Sequence, residues 1–485
     1  MRVLLVQHAV MNTESYPLGL SIVAAILQAT GHEVRFLDLA LRKGDAVEHL
    51  VAAAEEARAE ALGFTFMTPQ YGEYLDLAAR FRPRLPGVRV IAGGPHVSAA
   101  PEETLREGAV DIAVTGEAET IAALLFAALE SKADLASVPG IVYRNAGGTF
   151  HRTQDPDLVS DLDHGPPIPW ELFHPDRYRG RLRGLRQANI LASRGCPFHC
   201  LYCQRGPSSG RRFRPRGIEA IVSEIRHLQE RYGIRGFAFV DDIFTFDMER
   251  AARLCQALAA LPRPIRWICE TRADRVDEAL LAAMKRAGCM GVDFGVESGS
   301  EEILLRLHKR ISKDTVRRAF AHCRRIGLPT RGFFMLGTPW DNEETIAETI
   351  AFARELRPTT SIFFLAMPYP GTELRDAFVE AGWPLPQSYN DYLHFVEGRG
   401  FRAQAATGRG EGGAHTVAGG NGPDPRAHFA AACQRATRAV VWSQIGRPQY
   451  YPELLSAYLT RYSLKELAGR VIVRGLRLCG ARSGS

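Results

Sequence analysis

At 485 residues the chain exceeds one ordinary hydrophobic core, so two or three domains are expected. Its composition, 46% hydrophobic and 24% charged with no apolar run near the length that spans a bilayer, fits a soluble globular protein rather than a membrane-spanning one. Of the net charge of +6, the stretch from Arg435 to Ser485 alone holds +7 (nine Lys and Arg against two Glu), which leaves the remainder about neutral and excludes a general nucleic-acid-binding face.

Residues 2–131 alternate strand and helix in the manner of a doubly wound parallel sheet. Val3–Val6 is an apolar strand, and the spacing from Leu18 to Ala29 predicts a helix ending at Gly31. Glu33–Leu39 is a second strand, followed by an alanine-rich helix over 45–60. Ala61–Phe66, Val88–Ala92 and Ile112–Thr115 complete five strands. Sheets of this kind bind ligands beyond the carboxyl ends of their strands. Gly93-Gly94-Pro95-His96 follows the fourth strand and Gly116-Glu117-Ala118-Glu119 the fifth. Glycines there serve either the geometry of a short loop or the close approach of a large planar or phosphate-bearing ligand.

Pro156 to Pro175 reads as an extended connection that also helps cover a site, with Pro166–Trp170 as a stiff spacer. Ala188–Ala192 then predicts a strand delivering Cys196-x3-Cys200-x2-Cys203. Three thiolates can hold three irons of a cubane [4Fe–4S] cluster and leave the fourth iron open to a small molecule. A zinc site wants a fourth ligand from a second Cys/His pair, and none lies nearby. His199 would point away from a centre that its neighbours ligate. Disulfides fit poorly with nine cysteines, an odd number, and no signal peptide. Cys255, Cys269, Cys289, Cys323, Cys433 and Cys479 suit a reducing compartment, so a cytoplasmic location is expected.

From 186 onward the alternation resumes with longer helices. Helix 217–232 leads to strand Gly236–Val240, helix 247–261 to Ile265–Cys269, and helix 277–287 to Met290–Val296. Two short helices lead to Arg331–Leu336, and helix 342–356 to Ser361–Leu365. Six such units predict an open partial (β/α)6 barrel with functional residues at the carboxyl ends of its strands. The stretch from Gln404 to Pro425, rich in Gly and Ala and without periodicity, is expected to be a mobile loop. In the helical tail beyond it, Leu464, Leu467, Ala468, Val471 and Leu478 share one face and Arg470, Arg474 and Arg477 another. Such a helix packs on its parent domain or touches a membrane or an acidic partner. The expected division is 1–150, 151–185, 186–400, 401–425 and 426–485.

The cysteine spacing, with Tyr202 before Cys203, resembles the signature of the radical S-adenosylmethionine enzymes. Pro17-Leu-Gly-Leu20, Gly31–Val34 with Asp38, Gly93–His96, Gly116-Glu117 and Gly140–Arg144 resemble the cobalamin-binding domain of the cobalamin-dependent members, over nearly all of residues 1–150. The resemblance implies three cofactors: a [4Fe–4S] cluster on Cys196, Cys200 and Cys203, S-adenosylmethionine on its open iron, and cobalamin. For S-adenosylmethionine it implies contacts from Tyr202, Asp241, Asp242, Arg272, Glu297, Ser298, Gly332, Phe334 and Gly337. The aspartates also read as ordinary turn formers, and Arg272 as a partner of Asp274. Tyr369–Thr372, at the end of the sixth strand, is expected to face substrate. For cobalamin the implied contacts are Thr65, Thr68, Gly93, Gly94, Pro95, His96, Gly116 and Glu117. No Asp-x-His-x-x-Gly stretch occurs in the chain, which implies a base-off corrinoid without that histidine; His96 is expected to shape its loop rather than bind cobalt.

The resemblance further implies a bacterial enzyme that methylates an unactivated carbon (or phosphorus) in natural-product or lipid biosynthesis, using an adenosyl radical and methylcobalamin. It also leaves open radical cyclisation, rearrangement or oxidation without methyl transfer. A non-catalytic cobalamin or redox sensor is the alternative of another class. Expected partners are a small-molecule substrate and a flavodoxin- or ferredoxin-type reductant, with no nucleic acid and with peripheral membrane contact only through the basic tail.

Overall fold

The computed structural model describes residues 1–8, 15–107, 109–145, 147–182, 184–204, 209–386, 388–392 and 425–445. The glycine-rich stretch up to residue 424 and the basic tail carrying Leu464 to Leu478 lie outside the described residues. The first sheet is built from β1 (Arg2–Gln7), β2 (Glu33–Asp38), β3 (Ala61–Thr65), β4 (Arg89–Gly93), β5 (Ile112–Val114), β6 (Ile141–Arg144) and β7 (Phe150–Arg152), in the order β2-β1-β3-β4-β5-β6-β7. Val3, Leu4, Leu5 and Val6 are all buried, as a strand covered on both faces requires. The covering helices are α1 (Leu18–Ala29), α2 (Ala46–Glu56), α3 (Thr68–Phe81), α4 (Pro95–Ala99), α5 (Pro101–Arg106) and α6 (Ala122–Ser131). Strand order turns between β1 and β3, so the ligand crevice of a doubly wound sheet opens there. The five expected strands are present and parallel. β6 and β7, which the sequence reading did not place as strands, extend the sheet in antiparallel fashion.

The connection does more than span. Trp170 and Phe173, on the helical turn α7 (Trp170–Phe173), and Tyr178 are buried between the two sheets, where Tyr16 meets Trp170 edge-on at 5.1 Å. Tyr178 donates to Asp38 at 2.6 Å, and Tyr16 donates to the Asn189 carbonyl at 2.5 Å, joining the first sheet to the second.

The second sheet begins with the hairpin β8 (Arg181–Leu182) and β9 (Leu185–Ile190). A short antiparallel pair, β10 (Ser193–Arg194) and β11 (Arg214–Pro215), then forms the stem of the cysteine loop. It continues through α8 (Ile218–Tyr232), β12 (Gly236–Phe239), α9 (Met248–Ala259), β13 (Arg266–Thr271), α10 (Glu278–Arg286) and β14 (Cys289–Glu297). After these come α11 (Glu301–Arg306), α12 (Lys313–Ile326), β15 (Thr330–Leu336), α13 (Glu343–Leu356), β16 (Thr360–Leu365) and α14 (Glu373–Glu380). β9 and β12 to β16 are six parallel strands in a curled half-barrel of order β16-β15-β14-β13-β12-β9-β8. Alternation sorts the side chains. Phe237, Trp267, Phe294, Phe334 and Phe363 pack outward under the helices, whereas Asp293 and Arg331 pair at 3.1 Å on the concave side, beside Phe333 and Phe364. The C-terminal helix α15 (Pro425–Ile445) lies against β16. Among the described residues no helix is long and apolar enough to cross a membrane.

Candidate active site

The loop between β10 and β11 carries the three cysteines, and two aspartates at the end of β12 hold its base. Asp241, 1% exposed, accepts from the Ala192 amide at 3.1 and 3.2 Å and from the Ser193 hydroxyl at 2.5 Å. Burial pushes its carboxyl up to about 6. Asp242 accepts from the Gly195 amide at 2.8 Å. Gly195 sits at φ +81°, and a Cβ there would fall 2.1 Å from the Arg212 carbonyl, so only glycine lets the loop leave its stem. Farther along, the Leu201 amide donates to Leu307 and its carbonyl accepts from Leu374, while Cys203 closes a turn onto Cys200. Both aspartates are therefore braces of the cysteine loop.

The loop suits an iron–sulfur cluster. Burial, and after it the neighbouring Cys203 and Cys200, push the Cys196 thiol up, a strain that cationic irons would relieve. A cavity of about 240 Å³ opens beside Cys200 and Cys203, bounded by Leu201, Arg211, Gly371, Thr372 and Glu373.

Around the cluster loop the sheet supplies charge. Arg272, at the end of β13, reaches the Cys200 sulfur at 3.9 Å and lies 3.8 Å over the Phe198 ring. The same guanidinium holds Asp274 through two bonds of 2.9 and 3.1 Å and the Lys309 carbonyl at 2.8 Å, so the expected ion pair is present. At the end of β14 the Tyr202 hydroxyl donates to Glu297 at 2.8 Å, and the Lys309 ammonium reaches Glu297 at 2.9 Å and Tyr202 at 3.3 Å. Glu297 adopts φ +68°, which aims it back at this pair. Gly295 leaves the space, since a Cβ there would lie 2.5 Å from the Glu297 carboxylate and 2.9 Å from Lys309. Burial and the Glu297 carboxylate push the Tyr202 phenol up, so it stays a protonated donor. Lys309 escaped the sequence reading because it stands in the basic run His308–Arg310 with no motif around it. Ser298 bonds Thr349 of α13 at 3.0 Å and fixes the turn after β14.

On the fifth strand the side chains sort by face. Phe334 is fully buried on the outer face, stacked on Phe363 at 4.9 Å, and a Cβ on Gly332 would meet the Phe334 ring at 2.9 Å. Gly332 makes room for a core phenylalanine, and neither side chain position faces the concave side; alternation there favours Arg331, Phe333 and Met335. Gly337, at φ +88°, closes against Leu365 and Phe429, with its amide held by Asp341 at 3.0 Å.

The crevice edge of the first sheet is shaped for a close-fitting ligand. Gly94 has φ +98°, and a Cβ there would fall 2.6 Å from the Thr65 hydroxyl. Gly93, Gly94 and Pro95 remain partly exposed along this cradle, as does Thr65. Those positions fit a corrinoid laid over the strand ends. His96 does not lie along it: it is 0% exposed, with its ring 4.2 Å from Tyr71 and its Nδ1 3.2 Å from Thr68. Burial pushes its imidazole down to about 4. Gly116, at φ +77°, takes a bond from its amide to Ser98 at 3.0 Å. Glu117 follows Gly116 in the same loop. Its carboxylate is turned to the second sheet, where Arg214 grips it through bonds of 2.6 and 2.7 Å and the Val159 amide donates at 2.9 Å. Burial pushes Glu117 up, but Arg214 and Arg194 outweigh it and hold the carboxyl below its ordinary range.

The cysteine loop and the crevice end of the first sheet meet directly. Gln204, next to Cys203, donates to Thr68 at 3.4 Å and to the Pro370 carbonyl at 3.1 Å. Gly371 approaches Ala99 so closely that a Cβ would stand 3.2 Å from it.

Comparison with known proteins finds two families on the chain. The B12 binding domain family matches residues 6–126, and the radical SAM superfamily matches residues 190–353. An uncharacterized methyltransferase of Pyrococcus horikoshii is 29% identical over 384 residues, 79% of this chain and 83% of the relative. The cytidylyl-2-hydroxyethylphosphonate methyltransferase of Streptomyces wedmorensis is 26% identical over 427 residues, 77% of this chain and 79% of that protein. Among solved structures, a radical S-adenosylmethionine methyltransferase of Kitasatospora setae, with tryptophan and an S-adenosylmethionine analogue bound, superposes with a TM-score of 0.69. Its identity is 23%, over 80% of this chain and 78% of that one, so the likeness there is one of fold.

Proposed function

Because the chain belongs to the radical S-adenosylmethionine enzymes that carry a B12-binding domain, we propose that it transfers a methyl group to an unactivated carbon, or to phosphorus, of a small molecule of natural-product or lipid metabolism. The observation that supports this reading is the seam itself: Gln204 beside Cys203 bonds Thr68, the first residue of α3, and so joins the cysteine loop to the crevice end of the first sheet. When bound, the cluster with S-adenosylmethionine supplies a hydrogen-abstracting radical and the corrinoid supplies the methyl group. The chain's own residues orient and shield. Asp241 and Asp242 fix the cysteine loop, Arg272 places a positive charge at Cys200, and the Tyr202–Glu297–Lys309 triad closes the floor beside it. Misplacement of about 1 Å at such a site costs about 100-fold in rate, which is why so many buried bonds converge on one loop.

Three finer points belong to the same reading. The corrinoid is held base-off without a histidine on cobalt, supported by the burial of His96. Electrons arrive from a flavodoxin- or ferredoxin-type reductant, and the enzyme works in the cytoplasm. Any membrane contact is peripheral, through the basic tail.

The test is product analysis of the anaerobically reconstituted enzyme with reductant, S-adenosylmethionine and methylcobalamin. 5′-Deoxyadenosine together with S-adenosylhomocysteine supports methylation. 5′-Deoxyadenosine alone points to rearrangement or cyclisation, and neither product points to a sensor. Replacing Cys196, Cys200 and Cys203 with Ala abolishes iron binding on this reading; undiminished product from that variant refutes it.

A further inference from the structure

The stem of the cysteine loop is gripped at both ends by the first sheet. β10 and β11 pair Arg194 with Arg214 across an antiparallel bridge, and every cluster cysteine lies between them. Arg214, 2% exposed, forms a two-point fork with Glu117, which is 5% exposed. Arg194 reaches Glu117 at 3.4 Å and Glu119 at 2.5 Å. One loop after β5, whose Gly116 stands at the corrinoid edge, thereby holds both strands of the stem.

We propose that Glu117 is a positioning residue that sets the separation of the cluster from the corrinoid by clamping the loop stem through Arg214 and Arg194. The argument rests on what such a lattice does better than apolar packing. A buried ion pair is poor at stabilising a fold, because desolvation offsets most of the attraction, and hydrophobic residues of equal volume often do as well. A bidentate carboxylate–guanidinium fork is instead directional and fixes distance and orientation together. Each Arg214 Nη also donates to a carbonyl, Nη1 to Val159 and Nη2 to Ser209, both at 2.6 Å, which limits pivoting of the fork about the pair; its buried Nε has no partner among the described residues. On the far side, Cys196 follows Arg194 by two residues, and the Gly195 amide between them is held by Asp242 at 2.8 Å, which limits slack in the link. Movement of the β5 loop therefore moves the first cysteine.

The clamp is separate from cofactor capture. Glu117 has its oxygens on Arg214, Arg194 and the Val159 amide, whereas the three cysteines lie on the loop between the stem strands. Weakening the clamp should leave both cofactors bound and blur the distance between them.

The experiment uses the full chain loaded with iron, sulfide and hydroxocobalamin, then reduced so that both the cluster and cob(II)alamin are paramagnetic. Dipolar pulsed EPR reads the distribution of separations for wild type, Glu117→Gln and Arg194→Gln. The expected result is one narrow distribution for wild type and at least a twofold broader or a displaced one for each variant, at equal iron and cobalamin content. Should Glu117→Gln fail to fold, Arg194→Gln, which keeps the central fork, carries the test alone. Unchanged distributions overturn the proposal. Loss of cobalamin from Glu117→Gln at full iron content also overturns it, because Glu117 would then be a corrinoid contact. A second readout rests on the methyl-transfer reading: methylated product per 5′-deoxyadenosine should fall about 100-fold in Glu117→Gln. If no methylated product forms even in wild type, that reading fails while the distance measurement still judges the clamp.

Discussion

Acidification should strip stability from the first sheet through two buried histidines. His8, 4% exposed, ends at the Gln70 carbonyl through its Nε2 at 3.2 Å and leaves its Nδ1 without a partner; His96, 0% exposed, does the same with its Nε2. Desolvation pushes both imidazoles from 6.5 to about 4. A folded value below the unfolded one means that each histidine's contribution is fully present above pH 6.5 and is lost as pH falls through 6.5 toward 4. Near pH 5 each unfolded imidazole is almost wholly charged and each folded one almost wholly neutral, a penalty of about 2 kcal/mol per histidine, or about 4 kcal/mol for both. That is a large share of the roughly 5–15 kcal/mol by which domains are ordinarily stable. Asp241 and Asp293, both pushed up to about 6 by burial, work in the opposite sense, their contribution being lost as pH rises through that value. The histidine share is therefore read by difference. Urea unfolding of the apo chain at pH 7.5 and pH 5 should show wild type losing about 4 kcal/mol more than a His8→Phe/His96→Phe double variant, and each single variant falling midway. Equal losses in wild type and double variant would refute the assignment. A companion measurement addresses cobalt: His96→Ala should keep the base-off spectrum of bound cobalamin unchanged.

Replacing Lys309 with Met strands Glu297 without its cation and should cost about 3–5 kcal/mol in urea unfolding, against about 1 kcal/mol for Tyr202→Phe, which removes one hydrogen bond. Phe334→Ala should destabilise by about 3–5 kcal/mol as a core truncation. The protein that remains folded should bind S-adenosylmethionine with unaltered affinity by calorimetry, and a tenfold loss would return Phe334 to the cofactor site. Gly195→Ala should abolish reconstitution of the cluster, measured as iron per chain, because its Cβ would overlap the Arg212 carbonyl. Full iron content in that variant would show that the stem tolerates a displacement excluded by its contacts.

Legibility followed the length scale of the physics. The eleven parallel strands declare themselves in sequence because a strand buried on one or both faces needs an apolar pattern, and β1 and β14 carry theirs without ambiguity. The cysteines are equally plain, because three thiols at fixed spacing have few other uses. Side-chain direction is harder to read. Phe334 and Phe333 are neighbours of identical chemistry, and a single residue of register separates the helix-covered core from the concave face. Long-range charge is harder still. Glu117 stands beside a glycine at a strand end, where a ligand contact is the local expectation, yet its partner lies 97 residues away on a strand of two residues. Lys309 meets Glu297 only because α11 turns back over the end of β14 through left-handed backbone at His308 and Arg310. These side chains share a cause: their contacts are fixed by the seam between the two sheets or by the face of a strand, neither of which any local spacing encodes. It follows that the residues which tune the site are to be sought where the two sheets touch, and Gln204, Gly371 and the arginines of the loop stem all lie there.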